Sequence, residues 1–319
     1  MKKISIIGLG LIGGSVGLAL NGAGVQGLHL VGYSRRPEAA AKARVRGAVA
    51  ETARSLAACV EGAGLVVLAT PVTAMEAILR EIGPILPEGC IVTDVASTKA
   101  MVMRWAAESL PQGVSFVGGH PMAGKEVAGI EAAESGLFKG CTYCLCAGPG
   151  AAPAAVETVV SMVNLLGAKP YFVGPAEHDS YVAAISHLPM LVSTALVSAT
   201  VGSSVWREMS RMAATGYRDT TRLASSDPTM SSDIYTTNRE SLGRWLDVFI
   251  RELESLREGI AADGPELEAR LRRIKDARDL WQRGGASLPE TAAEPSGGWG
   301  RFFFGNLLSS SPVRGRRGR

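Results

Sequence analysis

Three things are scarce in this sequence, and each scarcity excludes a class of protein. The first is charge of one sign: 33 basic residues face 30 acidic ones. The net +3 belongs to the C-terminal end, where Arg301, Arg314, Arg316, Arg317 and Arg319 outnumber Glu290 and Glu294. A neutral body presents no electrostatic face to a nucleic acid, so no nucleic-acid partner is expected. Cysteine is the second. Five cysteines make an odd number without a disulfide framework, which fits a cytoplasmic chain. Cys141, Cys144 and Cys146 cluster on an expected strand with no second cysteine pair or histidine nearby. They read as buried thiols, and no metal site is expected. The third is any leader. Met1-Lys2-Lys3 runs into a strand and a glycine-rich turn, and that apolar run is too short and interrupted to cross a membrane, so no membrane partner is expected.

What is present is a composition that folds. At 319 residues, 46% hydrophobic and 20% charged, the chain can build two domains, each with its own core. Residues 3–7 form a short apolar strand, followed by Gly8-Leu9-Gly10-Leu11-Ile12-Gly13 and a helical run. This is the G-x-G-x-x-G pattern between a strand and a helix, the context in which it binds a dinucleotide. Gly8 permits the tight turn, Gly10 lets a pyrophosphate approach the backbone, and Gly13 allows close helix packing. The amides of Leu9, Leu11 and Ile12 complete the loop at the helix N-terminus. The second strand, Leu28–Tyr33, ends at Ser34-Arg35-Arg36 rather than at the carboxylate that reads an NAD ribose. Two guanidiniums there favour NADP, with NAD as the second option. The plainer reading of these arginines is the start of the next helix.

Short apolar strands then alternate with helices. Strands are expected over residues 65–69, 90–94, 114–117, 141–146 and 169–173, and helices near 74–82, 98–110 and 152–166. That alternation predicts an α/β fold, an N-terminal Rossmann-like doubly wound sheet over residues 1–174. Thr70-Pro71, Asp94 to Ser97, and His120 would share the carboxyl edge of the sheet with the glycine loop. From 175 to 284 the pattern is all helical. Pro189 predicts a bend beside His187, and Leu242, Leu246, Phe249, Leu253, Leu256 and Ile260 recur at helical spacing. Such stripes need partners, so this segment is expected to be a dimerisation domain in a homodimer. Residues 285–319 read as a flexible tail, with docking through Phe302-Phe303-Phe304 as the lesser reading.

Gly118-Gly119-His120-Pro121-Met122-Ala123-Gly124-Lys125-Glu126 places an imidazole in a glycine-rich turn after a strand, where a general base could sit. A capping histidine is the plainer alternative. His29, within a strand, and His178, at a helix start beside Asp179, read as structural. Asp94 reads as ordering the Ser97 turn.

Five motifs taken together resemble the prephenate and arogenate dehydrogenases. They are the glycine loop, Asp94-Val95-Ala96-Ser97-Thr98-Lys99, Gly119-His120-Pro121-Met122-Ala123-Gly124, Ser186-His187-Leu188-Pro189, and Gly216-Tyr217-Arg218-Asp219-Thr220-Thr221-Arg222. The resemblance spans about residues 3–283. It implies an NAD(P)-dependent oxidative decarboxylation of a small cyclohexadienyl acid, prephenate or arogenate. It also implies that His120 takes the ring hydroxyl proton, with Ser97 positioning it. His187 and Arg222 would bind substrate, with Lys125 and Glu126 beside the pocket mouth. Ser231-Ser232 stand where several prephenate-type relatives carry an aromatic residue, which leaves keto acid and amino acid substrates both open. A β-hydroxyacid dehydrogenase and a non-catalytic NADP sensor are the more distant alternatives.

Overall fold

The computed structural model describes residues 2–125, 127–148, 150–262 and 264–284. Eight strands form one sheet: β1 (Lys2–Ile7), β2 (Leu28–Tyr33), β3 (Glu51–Thr52), β4 (Leu65–Leu68), β5 (Ile91–Asp94), β6 (Ser115–Pro121), β7 (Thr142–Ala147) and β8 (Lys169–Phe172). Their order is β3-β2-β1-β4-β5-β6-β7-β8. Every pairing is parallel except β6 with β7. The strand order reverses at β1, with β2 on one side and β4 on the other, and a crevice for a ligand opens at the carboxyl ends of such a pair. The α/β expectation is met.

The helices around the sheet are α1 (Leu11–Gly22), α2 (Pro37–Val45), α3 (Leu56–Val60), α4 (Ala74–Ile82), α5 (Ala100–Ser109) and α6 (Pro153–Leu165). All four residues of β4, Leu-Val-Val-Leu, are buried because helices cover both faces of the sheet. Ile6, Leu65 and Val67 join one apolar core, while Ile7, Val66 and Leu68 join the other. α4 follows the helical period: Met75, Leu79 and Ile82 face the core, and Glu76 pairs outward with Arg80 at 2.6 Å. The β3 strand and α3 carry little periodic signal; Ser55 starts α3 by accepting from the Ala58 amide at 3.2 Å.

After β8 the chain is helical: α7 (Pro175–Val182), a π-helical turn (Ala183–His187), α8 (Leu188–Val201), α9 (Trp206–Met209), α10 (Thr215–Thr221), α11 (Pro228–Thr237), α12 (Arg239–Ala262) and α13 (Pro265–Gln282). The expected bend appears as the π turn. Pro189 has no amide to offer the carbonyl of Ile185, and the helix widens by one residue there. The chain separates after Val248 into two compact units, so α12 runs through the division. In the second unit Arg270 joins α13 to α12 by bonds to Glu252 at 2.5 Å and Ser255 at 3.0 Å.

Pro175–Val201 is long and apolar enough to cross a membrane by length and composition, but only 28% of its apolar window is buried within this chain. The same segment carries His178, Asp179 and His187, all buried and hydrogen-bonded. A packed helix with an uncovered apolar flank accounts for both facts. The tail expected over 285–319 lies outside the described residues.

Candidate active site

The glycine loop joins β1 to α1. Gly8 has φ +102°, and a Cβ there would lie 2.3 Å from the Ala69 carbonyl oxygen beyond β4. A Cβ at Gly13 would lie 1.9 Å from the Gly8 oxygen. Both glycines are therefore required by the fold itself. Gly10 differs, because a Cβ there would meet nothing within 4 Å. Its missing side chain leaves open space in front of the α1 N-terminus. That terminus has no side-chain cap and no acidic residue in its first turn, so its amides are available to an anion. Thr70 Oγ1, beyond the end of β4, is buried without a partner among the described residues. Open space, free amides and an unpartnered hydroxyl all fit a dinucleotide on this edge, and Pro71 is exposed beside them. Leu9 turns its side chain into the core, within reach of Gly32, so only its backbone faces the loop. Leu11 and Ile12 are half-buried at the helix start.

At the end of β2, the Arg36 amide donates to Ser34 Oγ at 3.2 Å, and both Arg35 and Arg36 are exposed. A shallow cavity of about 340 Å³ lies alongside, lined by Arg36 just before α2, Lys42 on α2, and Gly129 and Glu131 from beyond β6. Lys42 holds Glu131 in an ion pair, which with nearby Arg36 lowers the Glu131 carboxyl pKa. The sequence reading did not include this carboxylate.

His120 departs from expectation in one respect. It lies within β6, which continues to Pro121, and not in a turn after the strand. The extension exists because β7 pairs antiparallel with this end, matching His120 to Cys144. Gly119 is required beside it, since a Cβ would lie 2.5 Å from the Asp94 carbonyl oxygen and 2.9 Å from the Tyr143 ring. Asp94, at the end of β5, accepts from the Gly119 amide at 3.0 Å and the Ala96 amide at 2.9 Å. Lys99 is fully buried, pairs with Asp94, and donates to the Gly119 carbonyl at 2.6 Å. Asp94 thus does more than order the Ser97 turn: with Lys99 it pins the backbone that carries His120. Ser97 sits half-exposed in the same turn.

The largest addition to the sequence reading is His178, which had read as structural. His120 Nδ1 lies 2.9 Å from His178 Nε2, with the rings edge to face, and His178 Nδ1 lies 2.8 Å from Asp179 Oδ1. Asp179 also accepts from the amides of Lys99 at 2.7 Å and Ala100 at 2.9 Å. It therefore caps α5, whose own N-cap residue supplies no capping side chain. Asn238, also unforeseen, donates to the Asp179 carbonyl at 2.7 Å and lies 3.2 Å from His187 Nδ1. His187 Nε2 is buried without a partner among the described residues. Burial, then the neighbouring His178, Lys99 and His187, push the His120 pKa well below 6.5. Burial lowers that of His187 to about 4, against the opposing pull of Asp179. Both rings are neutral at physiological pH.

The remaining expected residues are more peripheral. Arg222 is exposed at the end of α10, a segment tied to α8 by Ser193 Oγ donating to the Thr220 carbonyl at 2.6 Å. Lys125 is exposed and pairs with Glu134 at 2.8 Å. Glu126 lies outside the described residues. His29 pairs with Glu51 at 3.3 Å on the far side of the sheet order. Cys144 and Cys146 are buried on β7, and burial raises the Cys146 thiol to about 12.

The family model of the prephenate dehydrogenase nucleotide-binding domain matches residues 16–172, and that of the prephenate dehydrogenase dimerization domain matches residues 174–274. The chain belongs to the prephenate dehydrogenase family. The prephenate dehydrogenase of Bacillus subtilis is 36% identical over 92% of this chain and 78% of its own length. Among solved structures, prephenate dehydrogenase from A. aeolicus, in complex with hydroxyphenyl propionate and NAD+, is 30% identical. It superimposes with a TM-score of 0.83 over 88% of this chain and 98% of that one. Synechocystis arogenate dehydrogenase is 34% identical with a TM-score of 0.74, over 88% of this chain and 99% of that one. This prephenate dehydrogenase family member is therefore an oxidoreductase with a nucleotide-binding domain for a nicotinamide cofactor.

Proposed function

We propose that this chain catalyses the oxidative decarboxylation of prephenate to 4-hydroxyphenylpyruvate in tyrosine biosynthesis, with NADP favoured over NAD. The observation that carries this reading is the buried His120 at the end of β6, on the same sheet edge as the glycine loop, in a setting that lowers its pKa. The loop Gly8 to Gly13 and Thr70 hold the cofactor, with Ser34, Arg35 and Arg36 toward its ribose. When bound, the nicotinamide supplies a hydride acceptor. His120 takes the proton of the ring hydroxyl as that carbon becomes a carbonyl, and Ser97 orients the hydroxyl. His187 offers its Nε2 hydrogen to the substrate and Arg222 a fork to a carboxylate. Loss of the ring carboxylate as carbon dioxide leaves the aromatic ring and makes the step effectively irreversible.

Residues 1–174 are assigned to the cofactor and 175–284 to substrate binding and dimerisation as a homodimer. Five free cysteines suit a reducing cytoplasm. Arogenate is the second substrate reading, supported by the similarity to the Synechocystis enzyme, while Ser231-Ser232 leave both substrates open.

The test is a four-way assay of prephenate and arogenate, each with NAD and NADP. The expected result is the highest kcat/KM for prephenate with NADP. A preference for arogenate would reassign the substrate. A preference for NAD would leave Arg35 and Arg36 as a helix start.

A further inference from the structure

Asp179 reaches both histidines of the site by separate routes, and the hydrogen-bonding capacity of each group fixes where the protons lie. A carboxylate only accepts, so the His178 nitrogen facing it, Nδ1, carries a hydrogen. We take His178 with this one ring hydrogen, which leaves its Nε2 bare toward His120. His120 Nδ1, 2.9 Å away, must be the donor, and its Nε2 is left with a lone pair. The second route starts from the Asp179 main-chain carbonyl, which also only accepts. The Asn238 atom at 2.7 Å is therefore the amide nitrogen, and its other hydrogen points at His187 Nδ1. His187 Nδ1 accepts, so its hydrogen sits on the buried, unpartnered Nε2.

We propose that Asp179, His178 and Asn238 hold the two site histidines in opposite tautomers, His120 as a proton acceptor at Nε2 and His187 as a donor at Nε2. His178 and Asn238 are positioning residues, acting through the imidazoles they touch. The proposal rests on the reading of His120 as the base. The other groups facing this cluster are Lys99 at the start of α5, Asp94 at the end of β5, and the Tyr143 ring and the Cys144 and Cys146 thiols of β7. Lys99 is neutralised by Asp94, so the Asp179 carboxylate is left to order the histidines. Because Asp179 also caps α5, that helix and His178 are held by one side chain. Protonation of His120 by substrate leaves an imidazolium whose Nδ1 hydrogen still points at His178, so the product state keeps the same bond.

The experiment is nitrogen-15 NMR of the full chain labelled at its four histidines, with long-range proton correlation at neutral pH. Each ring is assigned by a single histidine-to-glutamine variant. Protons are expected on Nδ1 of His120, Nδ1 of His178 and Nε2 of His187. His178→Phe removes the acceptor; kcat is expected to fall on the order of a hundredfold, with cofactor Kd and substrate KM within about twofold, and the His120 signals are expected to shift. His178→Gln, whose amide oxygen can accept from His120, is expected to recover most of that loss. A wild-type His120 carrying its proton on Nε2 would overturn the proposal. So would a doubly protonated His178, or a His178→Phe chain with unchanged kcat and His120 signals. If His178→Phe does not fold, the wild-type spectrum decides alone. The base reading fails separately, by turnover surviving in His120→Asn, whatever the tautomers prove to be.

Discussion

At His120, burial on β6 and the adjacent His178, Lys99 and His187 disfavour a positive charge, so the imidazole stays neutral well below pH 6.5. Two outcomes follow for this one side chain. His120→Asn keeps the ring's approximate volume but has no basic nitrogen, and turnover is expected to fall by roughly two to four orders of magnitude. Cofactor binding, measured by fluorescence titration, should be unchanged in that variant. The acid limb of the kcat/KM profile should lie below pH 6.5, since the free enzyme must reach a lower pH before His120 gains a proton. A limb at or above 6.5 would mean that His120 is more hydrated than its setting on β6 implies. His120 and its glycines could be picked out by eye from the sequence. Its partners could not, because His178 lies 58 positions away and Lys99 spans 20 positions to the Gly119 carbonyl. Neither separation leaves a local signature.

Among the elements, the β1–α1 connection makes the sharpest distinction between folding and binding. Gly10→Ala places its methyl in open space, so thermal stability should be preserved while cofactor Kd rises. Gly13→Ala sets a carbon 1.9 Å from the Gly8 oxygen, forcing the helix off the sheet. A melting temperature several degrees lower is expected, from a cost of at least about 1–3 kcal/mol. Equal losses of stability in the two variants would show that Gly10 is also a packing glycine. Most strands and helices of this domain were readable because their apolar runs are short and bounded by glycine or proline, and all but β8 are largely buried. The length of β6 was not, since its last residues are held by pairing to β7 rather than by their own pattern. The turn before Pro189 was foreseen as a bend, and its π geometry follows from the missing amide.

For the chain as a whole, large apolar side chains remain exposed on the helices: Ile185 and Val201 in the first unit, and Leu253, Ile260 and Leu271 in the second. The family match to a dimerization domain over residues 174–274 supports covering them with a second copy. Analytical ultracentrifugation should therefore give about twice the 33.3 kDa chain mass. A monomer at micromolar concentration would leave these stripes unexplained. Acid should also destabilise the fold in a defined window. His187 has a folded pKa of about 4 against 6.5, so below 6.5 the unfolded chain binds the extra proton first. Stability is full above pH 6.5 and declines as the pH falls toward 4, by up to about 3 kcal/mol from this group. Urea midpoints across that range measure it, and a His187→Gln variant should show a shallower decline.

The sequence by itself determined most of the strands and helices, though not β3 or α3, together with the glycine loop, the two motif histidines and the family. Each of these is written in neighbouring residues, as a periodicity, a spacing or a required absence of a side chain. Tertiary structure decided what the histidines are bonded to. Asp179 is one helical residue in sequence, yet it caps α5, orders His178 and His120, and through Asn238 faces His187. Hydrogen bonds across 50 to 80 positions depend on where the packed elements bring their ends, and no local pattern records that.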